Sequence, residues 1–198
     1  MDRDLSESSD EELARATQAS SLPAFEELAR RYERRIFAFL RQRLPNDSDA
    51  EDLTQKTFIT AYRKIHLYQH QYRFAPWLFT IARNLRASHY QAAARIPTPA
   101  PEREQLDERS PAVVLVEREA RASLWAVARA VLSEDQHQAL WLHYAEDLKL
   151  RDVAVALGTS EANAKVLLHR ARRTLAARLT AETEARGAGR RVAGNGGG

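Results

Sequence analysis

Between Ile96 and Pro111 the chain reads IPTPAPEREQLDERSP, with four prolines in sixteen residues and no apolar periodicity. Proline locks φ and removes a backbone donor, so neither a helix nor a sheet runs easily through such a stretch. A flexible, extended linker over 96–111 is the expectation, and it splits the chain into two modules, 22–95 and 112–181. Each is about 70 residues long, small but sufficient to bury a core of its own. The flanks differ from both. Residues 1–21 carry six acidic against two basic side chains and read as an acidic N-terminal segment. Residues 182–198 are rich in glycine and poor in apolar side chains, which predicts a disordered tail.

Charge follows the same division. The first module holds thirteen basic against seven acidic side chains, the linker two against four, and the second module ten against eight. Two basic bodies joined by an acidic connector suit a polyanion partner, although an arginine-rich solvated surface would give the same count. The absence of cysteine excludes disulfides, thiolate chemistry and cysteine-ligated metal centres. With no run of eighteen apolar residues, no membrane insertion is expected. The polar, acidic N-terminus is unlike a signal peptide, which points to the cytoplasm.

Alanine, leucine, arginine and glutamate dominate, and apolar spacing follows the helical period throughout. In the first module Phe25, Leu28, Ala29, Tyr32, Ile36, Phe39 and Leu40 mark one helix face, ended by Pro45-Asn46-Asp47. Ser48 or Asp49 can cap a second helix that buries Leu53, Phe58, Ala61, Tyr62 and Ile65. His66–Arg73 reads as a loop, and Pro76 at a first helical position opens a third helix carrying Leu78, Ile81, Ala82 and Leu85. The second module starts with a helix over 112–132. Ser133 and Gln136 then form a capping box for a short helix. Leu150–Leu157, a turn at Gly158, and Glu161–Leu179 make a helix–turn–helix pattern. The expected fold is all-α, two small helical domains joined by a flexible linker.

Two features carry chemistry. Ala164, Leu168, Ala171 and Leu175 define the buried face of the last helix, so Lys165, Val166, His169, Arg170 and Arg173 lie opposite. A helix fits the DNA major groove, where Lys and Arg reach guanine edges or phosphates. An ordinary helical hairpin with a basic solvent face has the same pattern. The second feature is the cluster Tyr62, Tyr68, Tyr72, Phe74, Trp77, Phe79 and Tyr90, interleaved with Arg63, Lys64, Arg73, Arg83 and Arg86. Rings stack on unpaired bases while cations track phosphates, as single-stranded DNA requires. The bland alternative is that most of these rings are core.

Three stretches together resemble a known family: Ala50-Glu51-Asp52-Leu53-Thr54-Gln55 followed by Phe58; Trp77-Leu78-Phe79-Thr80-Ile81-Ala82-Arg83-Asn84; and Leu168-His169-Arg170-Ala171-Arg172. They are similar to the extracytoplasmic-function (ECF, group IV) sigma factors of the sigma-70 family, over residues 22–95 and 115–180 and in the same order. The resemblance implies a sigma region 2 helical bundle and a sigma region 4 helix–turn–helix. It implies core RNA polymerase as partner, met through the β′ clamp helices and the β flap. Glu51, Asp52, Gln55 and Arg63 would make the clamp-helix contact. Tyr68, Trp77, Phe79, Ile81, Arg83 and Asn84 would bind the −10 element, with the Ile65–Phe74 loop as its specificity element and Trp77 supporting or wedging the duplex. Ser160, Asn163, Lys165, Val166, His169, Arg170 and Arg173 would bind the −35 element. A cognate anti-sigma factor is a further expected partner. No cofactor, no metal and no catalytic residue is implied, so the chain is read as a non-enzyme that directs transcription initiation.

Several positions depart from the family pattern. Lys56 stands where an acid is usual, Ser88 and Gln91 replace the usual Asp and Arg, and Val166 and Leu167 replace the usual Ser and Arg. These changes bear on promoter sequence and on individual DNA contacts more than on polymerase binding. Alternative readings are a sigma-like mimic that titrates an anti-sigma factor and a conventional helix–turn–helix regulator. A metal sensor built on His66 and His70 is a third, which lacks an evident third ligand.

Overall fold

The computed structural model describes residues 5–93 and 124–193. The linker at 96–111, residues 112–123 and the last five residues of the tail lie outside the described residues. The first module contains α1 (Asp10–Gln18), α2 (Leu22–Arg41), α3 (Asp47–Lys64) and α4 (Phe74–Ala93), with 3-10 turns at Leu5–Glu7 and Ile65–Leu67. The second contains α5 (124–131), α6 (Glu134–Tyr144), α7 (Leu150–Leu157) and α8 (Glu161–Ala193). The expected all-α class is what the described residues show.

Burial explains the first bundle. Leu28, Tyr32, Ile36, Phe39 and Leu40 of α2 are buried against Leu53 and Ala61 of α3 and Phe74, Leu78, Phe79 and Ala82 of α4. Each large apolar side chain so removed from water contributes about 1.5–3 kcal/mol. Phe39 meets Phe79 edge-on with ring centroids 5.3 Å apart. The helix starts differ from the sequence reading. Asn46 caps α3, its side chain accepting from Asp49 N at 2.8 Å, because Asn46 is still extended (φ −146°) while Asp47 is already helical. Helix α4 begins at Phe74 rather than Pro76, since Glu11 of α1 accepts the Phe74 N–H at 3.0 Å and supplies the cap from a distant part of the chain.

The acidic N-terminal segment, in which the sequence reading placed no element, holds α1, and this helix belongs to the first module. Ser9 and Glu12 make a reciprocal capping box, and Leu13, Ala14 and Thr17 are buried. Asp10 accepts from Arg31 Nη1 at 2.8 Å and from Tyr32 Oη at 2.5 Å. Burial, then the Asp10 carboxylate, pushes the Tyr32 phenol well above its ordinary range, so it remains a donor.

In the second module, Ser133 and Gln136 form the expected capping box and Gly158 takes the left-handed conformation (φ 62°, ψ 38°) that ends α7. Ser160 accepts from Asn163 N at 3.2 Å and caps α8, whose Ala164, Leu168, Ala171 and Leu175 are buried. Helix α8 runs on to Ala193. The tail from 182 is therefore helical up to that point: alanine and arginine favour helix, and Gly187 and Gly189 each cost only about 1 kcal/mol.

His137 is 1% exposed and packs beside the Trp125–Trp141 pair, with ring centroids 5.9 and 6.5 Å away. Burial, and then the Arg43, Arg86 and Arg129 cations, hold its pKa down to about 3. The unfolded chain, with an ordinary histidine near 6.5, then binds more protons than the folded one between those values. The contribution to stability is whole above about pH 6.5 and is lost as pH falls, by up to about 1.4 kcal/mol per unit. Urea midpoints at about pH 7.5 and about pH 5 should therefore converge in His137→Gln; an unchanged acid limb would refute this account.

The modules touch. α4 packs against α7, and among the described residues each cross-module ion pair sets a cation of the first module against an anion of the second. Arg35 Nε meets Glu146 Oε2 at 2.7 Å, Arg43 Nε meets Glu134 Oε2 at 3.4 Å, and Arg73 Nη1 meets Asp152 Oδ2 at 3.6 Å. The Arg86 guanidinium, 2% exposed, also bonds Glu134.

Candidate nucleic-acid interface

Three surfaces hold the residues singled out from the sequence. The first is a cleft of about 1250 Å³ between α2 and α3. Glu51, Asp52, Gln55 and Arg63 all line it, brought together by their spacing on α3. The apolar floor was not anticipated. Phe58 and Tyr62 were assigned to the core face, but Phe58 is only half-buried and Tyr62 is 42% exposed. Helix α3 carries two apolar stripes. Leu53, Thr57, Ala61 and Ile65 face the core; Phe58, Ile59 and Tyr62 face the cleft beside Phe25, whose ring centroid lies 5.0 Å from that of Tyr62. Along the rim stand Glu26, Arg30, Glu33 and Arg34 of α2. Arg34 and Arg63 form no ion pair with any described residue. An apolar trough with charged edges accepts a helical partner.

The second surface is α4 with the loop before it. Asn84 is exposed, while Trp77, Ile81 and Arg83 are half-buried. Tyr68 and Phe79 are buried, and neither ring presents a face to a base in this conformation. The aromatic cluster is thus largely internal: Tyr68 packs on Phe74 and Trp77 with centroids 5.6 and 5.5 Å away. Arg86, counted among the surface cations, is buried beneath Phe39 and paired with Glu134; burial lowers its pKa, against which Glu134 acts. Loop residues Gln69, His70, Gln71, Tyr72 and Arg73 form the exposed tip. His66 and His70 are exposed there, and among the described residues no three His, Cys, Asp or Glu side chains are placed to hold a metal ion.

The third surface is α8. Ser160, Asn163, Lys165, Val166, His169, Arg170 and Arg173 are all exposed. Lys165, Arg170 and Arg173 form no ion pair with any described residue, so their charges are available to phosphate or base edges. Leu167, one of the departures, is half-buried against the core, which explains an apolar side chain at that position. Among the described residues no helix is long and apolar enough to cross a membrane.

Comparison with known proteins fits this division. Residues 28–96 match the Sigma-70 region 2 family model and residues 128–175 match that of Sigma-70, region 4. The chain is 35% identical over 170 residues to the ECF RNA polymerase sigma factor BldN of Streptomyces coelicolor, covering 83% of this chain and 64% of that one. It therefore spans just under two thirds of BldN. It is 30% identical over 156 residues to the ECF RNA polymerase sigma factor SigM of Bacillus subtilis, covering 77% of this chain and 93% of that one. Among solved structures, CnrH in complex with the cytosolic domain of CnrY is similar with a TM-score of 0.66 at 22% identity, over 87% of this chain and 97% of that one. The sigma factor RpoE of Bartonella quintana, in complex with the anti-sigma factor NepR, has a TM-score of 0.62 at 23% identity, over 79% of this chain and 96% of that one. At those identities the structures establish a shared fold. With a region 2 match on the module that holds the cleft and the α4 surface, a region 4 match on the module that ends in α8, and SigM matched along nearly its whole length, the chain belongs to the ECF sigma factors of the sigma-70 family.

Proposed function

We propose that this chain binds core RNA polymerase through the α2–α3 cleft, captures and melts the −10 element with the partly exposed edge of α4 and its loop, and reads the −35 duplex with α8. The cleft offers Glu51, Asp52, Gln55 and Arg63 around an apolar trough, chemistry that suits the β′ clamp helices. Asn84, Trp77, Ile81 and Arg83 are the α4 groups assigned to the −10 strand, with Tyr68 and Phe79 supporting them from beneath. Ser160, Asn163 and Arg173 suit phosphate, and Lys165, Val166, His169 and Arg170 suit base edges. The chemistry of RNA synthesis belongs to the polymerase, so this chain is a non-enzymatic initiation factor acting in the cytoplasm. Because the solved relatives were captured with CnrY and with the anti-sigma factor NepR, a cognate anti-sigma factor is proposed as a regulatory partner.

One observation carries the reading: all seven −35 candidates lie exposed at the start and along one face of a single helix, with their cations unpaired. The test is Arg170→Ala, assayed on promoter fragments that the reconstituted holoenzyme selects from a random pool. Affinity for the selected −35 duplex should fall about tenfold or more while association with core polymerase is unchanged. Equal loss of both activities would overturn the assignment of the two modules.

A further inference from the structure

Helix α1 holds both ends of the loop that precedes α4. At the entry, the Gln18 amide donates to two main-chain carbonyls, Ile65 O at 2.7 Å and Tyr68 O at 2.9 Å. These carbonyls lie at and just beyond the end of α3; Ile65 O also accepts the Tyr68 N–H at 3.0 Å, so Gln18 adds a second donor there and joins the two carbonyls. At the exit, Glu11 accepts the Phe74 N–H at 3.0 Å, taking one of the first free donors of α4. Between these anchors the loop is closed on itself: Tyr68 Oη donates to Tyr72 O at 2.5 Å, and Tyr72 N donates to Gln69 O at 3.0 Å. The tip, Gln69 to Arg73, faces solvent, as do His66 and Leu67 of the preceding 3-10 turn, while Arg73 also reaches Asp152 of α7 at 3.6 Å.

The anchoring helix is itself tied down. Arg31 of α2 donates to Ser8 O at 2.8 Å, Leu5 O at 3.0 Å, Ser6 O at 2.8 Å and the Asp10 carboxylate, so the N-terminal segment is gathered on one guanidinium. The bonds within the loop shape its tip, while the positions of its two ends are set by groups outside the loop and outside α4. A constellation that must meet a base within a fraction of an ångström depends on such supports.

We propose that Gln18 and Glu11 are positioning residues for −10 recognition, fixing the loop in the conformation in which its tip meets the displaced base. This rests on the reading of the loop as the −10 specificity element. Neither side chain need touch DNA. Gln18 sets where the loop leaves α3, and Glu11 sets where it enters α4. The acidic N-terminal segment thus acts on promoter choice rather than on polymerase affinity.

The experiment uses holoenzyme reconstituted with the full chain and a pool of promoter fragments randomised over the −10 element, with the bound DNA sequenced. Gln18→Leu removes both donors at similar volume, Glu11→Ala removes the acceptor, and Glu11→Gln keeps it. Gln18→Leu and Glu11→Ala should reduce discrimination between preferred and disfavoured bases about tenfold, leaving core-polymerase affinity within about twofold. Glu11→Gln should retain wild-type discrimination, a rescue that general loosening of the module would not produce. The paired changes Tyr72→Ala and Arg73→Ala at the tip serve as the reference. If the tip changes alter base preference while Gln18→Leu and Glu11→Ala do not, the positioning role is refuted and the −10 reading stands. If none of the variants alters base preference, both fall.

Discussion

Tyr62→Ala should weaken association with core RNA polymerase by about thirtyfold, the largest effect of any single change in the α2–α3 cleft. The ring is 42% exposed at the cleft, and its inner face packs on Phe25, so it is held rigid before a partner arrives. Pre-ordered aromatic side chains that become fully buried on binding dominate interface energetics, because little conformational entropy remains to be lost. Asp52→Ala, at the exposed rim, should cost less and should lose its effect as salt is raised. Fluorescence titration of the labelled chain with core enzyme measures both. The stability of the free chain should change little in Asp52→Ala and modestly in Tyr62→Ala, which gives up the contact with Phe25, so binding is compared on chains that remain folded. A Tyr62→Ala chain that binds core as well as wild type would show that the cleft is not the polymerase contact.

Glu134→Ala should shift the chain from docked to separated modules. Arg86 is 2% exposed in the docked arrangement, and Glu134 is the counter-ion its guanidinium bonds. Stripping the partner from a buried charge typically costs about 3–5 kcal/mol. Here the molecule has an escape: separation would let water reach Arg86, so the cost is capped at the free energy of docking. Arg43 loses its contact with Glu134 in the same step, which adds to the bias. Small-angle scattering should report a larger radius of gyration for Glu134→Ala than for wild type. The double change Arg86→Met with Glu134→Met should restore the compact form, because it removes the buried guanidinium together with its need for a counter-ion. An unchanged radius for Glu134→Ala would show that the ion pair does not govern docking.

Much of the molecule was legible in its sequence, for identifiable reasons. The buried face of α8 was readable because Ala164, Leu168, Ala171 and Leu175 follow one helical stripe, and that stripe leaves all seven −35 candidates exposed. Glu51, Asp52, Gln55 and Arg63 converge because residues three, four and seven or eight apart share a helix face. The Ser133–Gln136 capping box and the Gly158 turn are local chemistry and appear as read. Helix α1 was not placed from the sequence, although Ser9 and Glu12 have the same capping-box spacing, because it is short and only Leu13, Ala14 and Thr17 are buried.

What failed did so where a side chain could serve either of two neighbours. Tyr68 and Phe79 sit in the same aromatic run as Trp77, and composition alone does not say which ring turns inward. Tyr62 and Phe58 lie on a second apolar stripe of α3 whose partner is a cleft rather than a core. Arg86 looked like a surface cation until the second module supplied Glu134. Local periodicity and capping, which act within a turn or two of helix, determined most of the helices and the exposed face of α8, and the run of prolines determined the two-module division. Only the tertiary structure decided which aromatics are core, which arginines are spent on the opposite module, and that α1 clasps the loop before α4. Those outcomes depend on groups far apart in the chain, such as Gln18 and Tyr68 or Arg86 and Glu134, whose meeting no short-range pattern encodes.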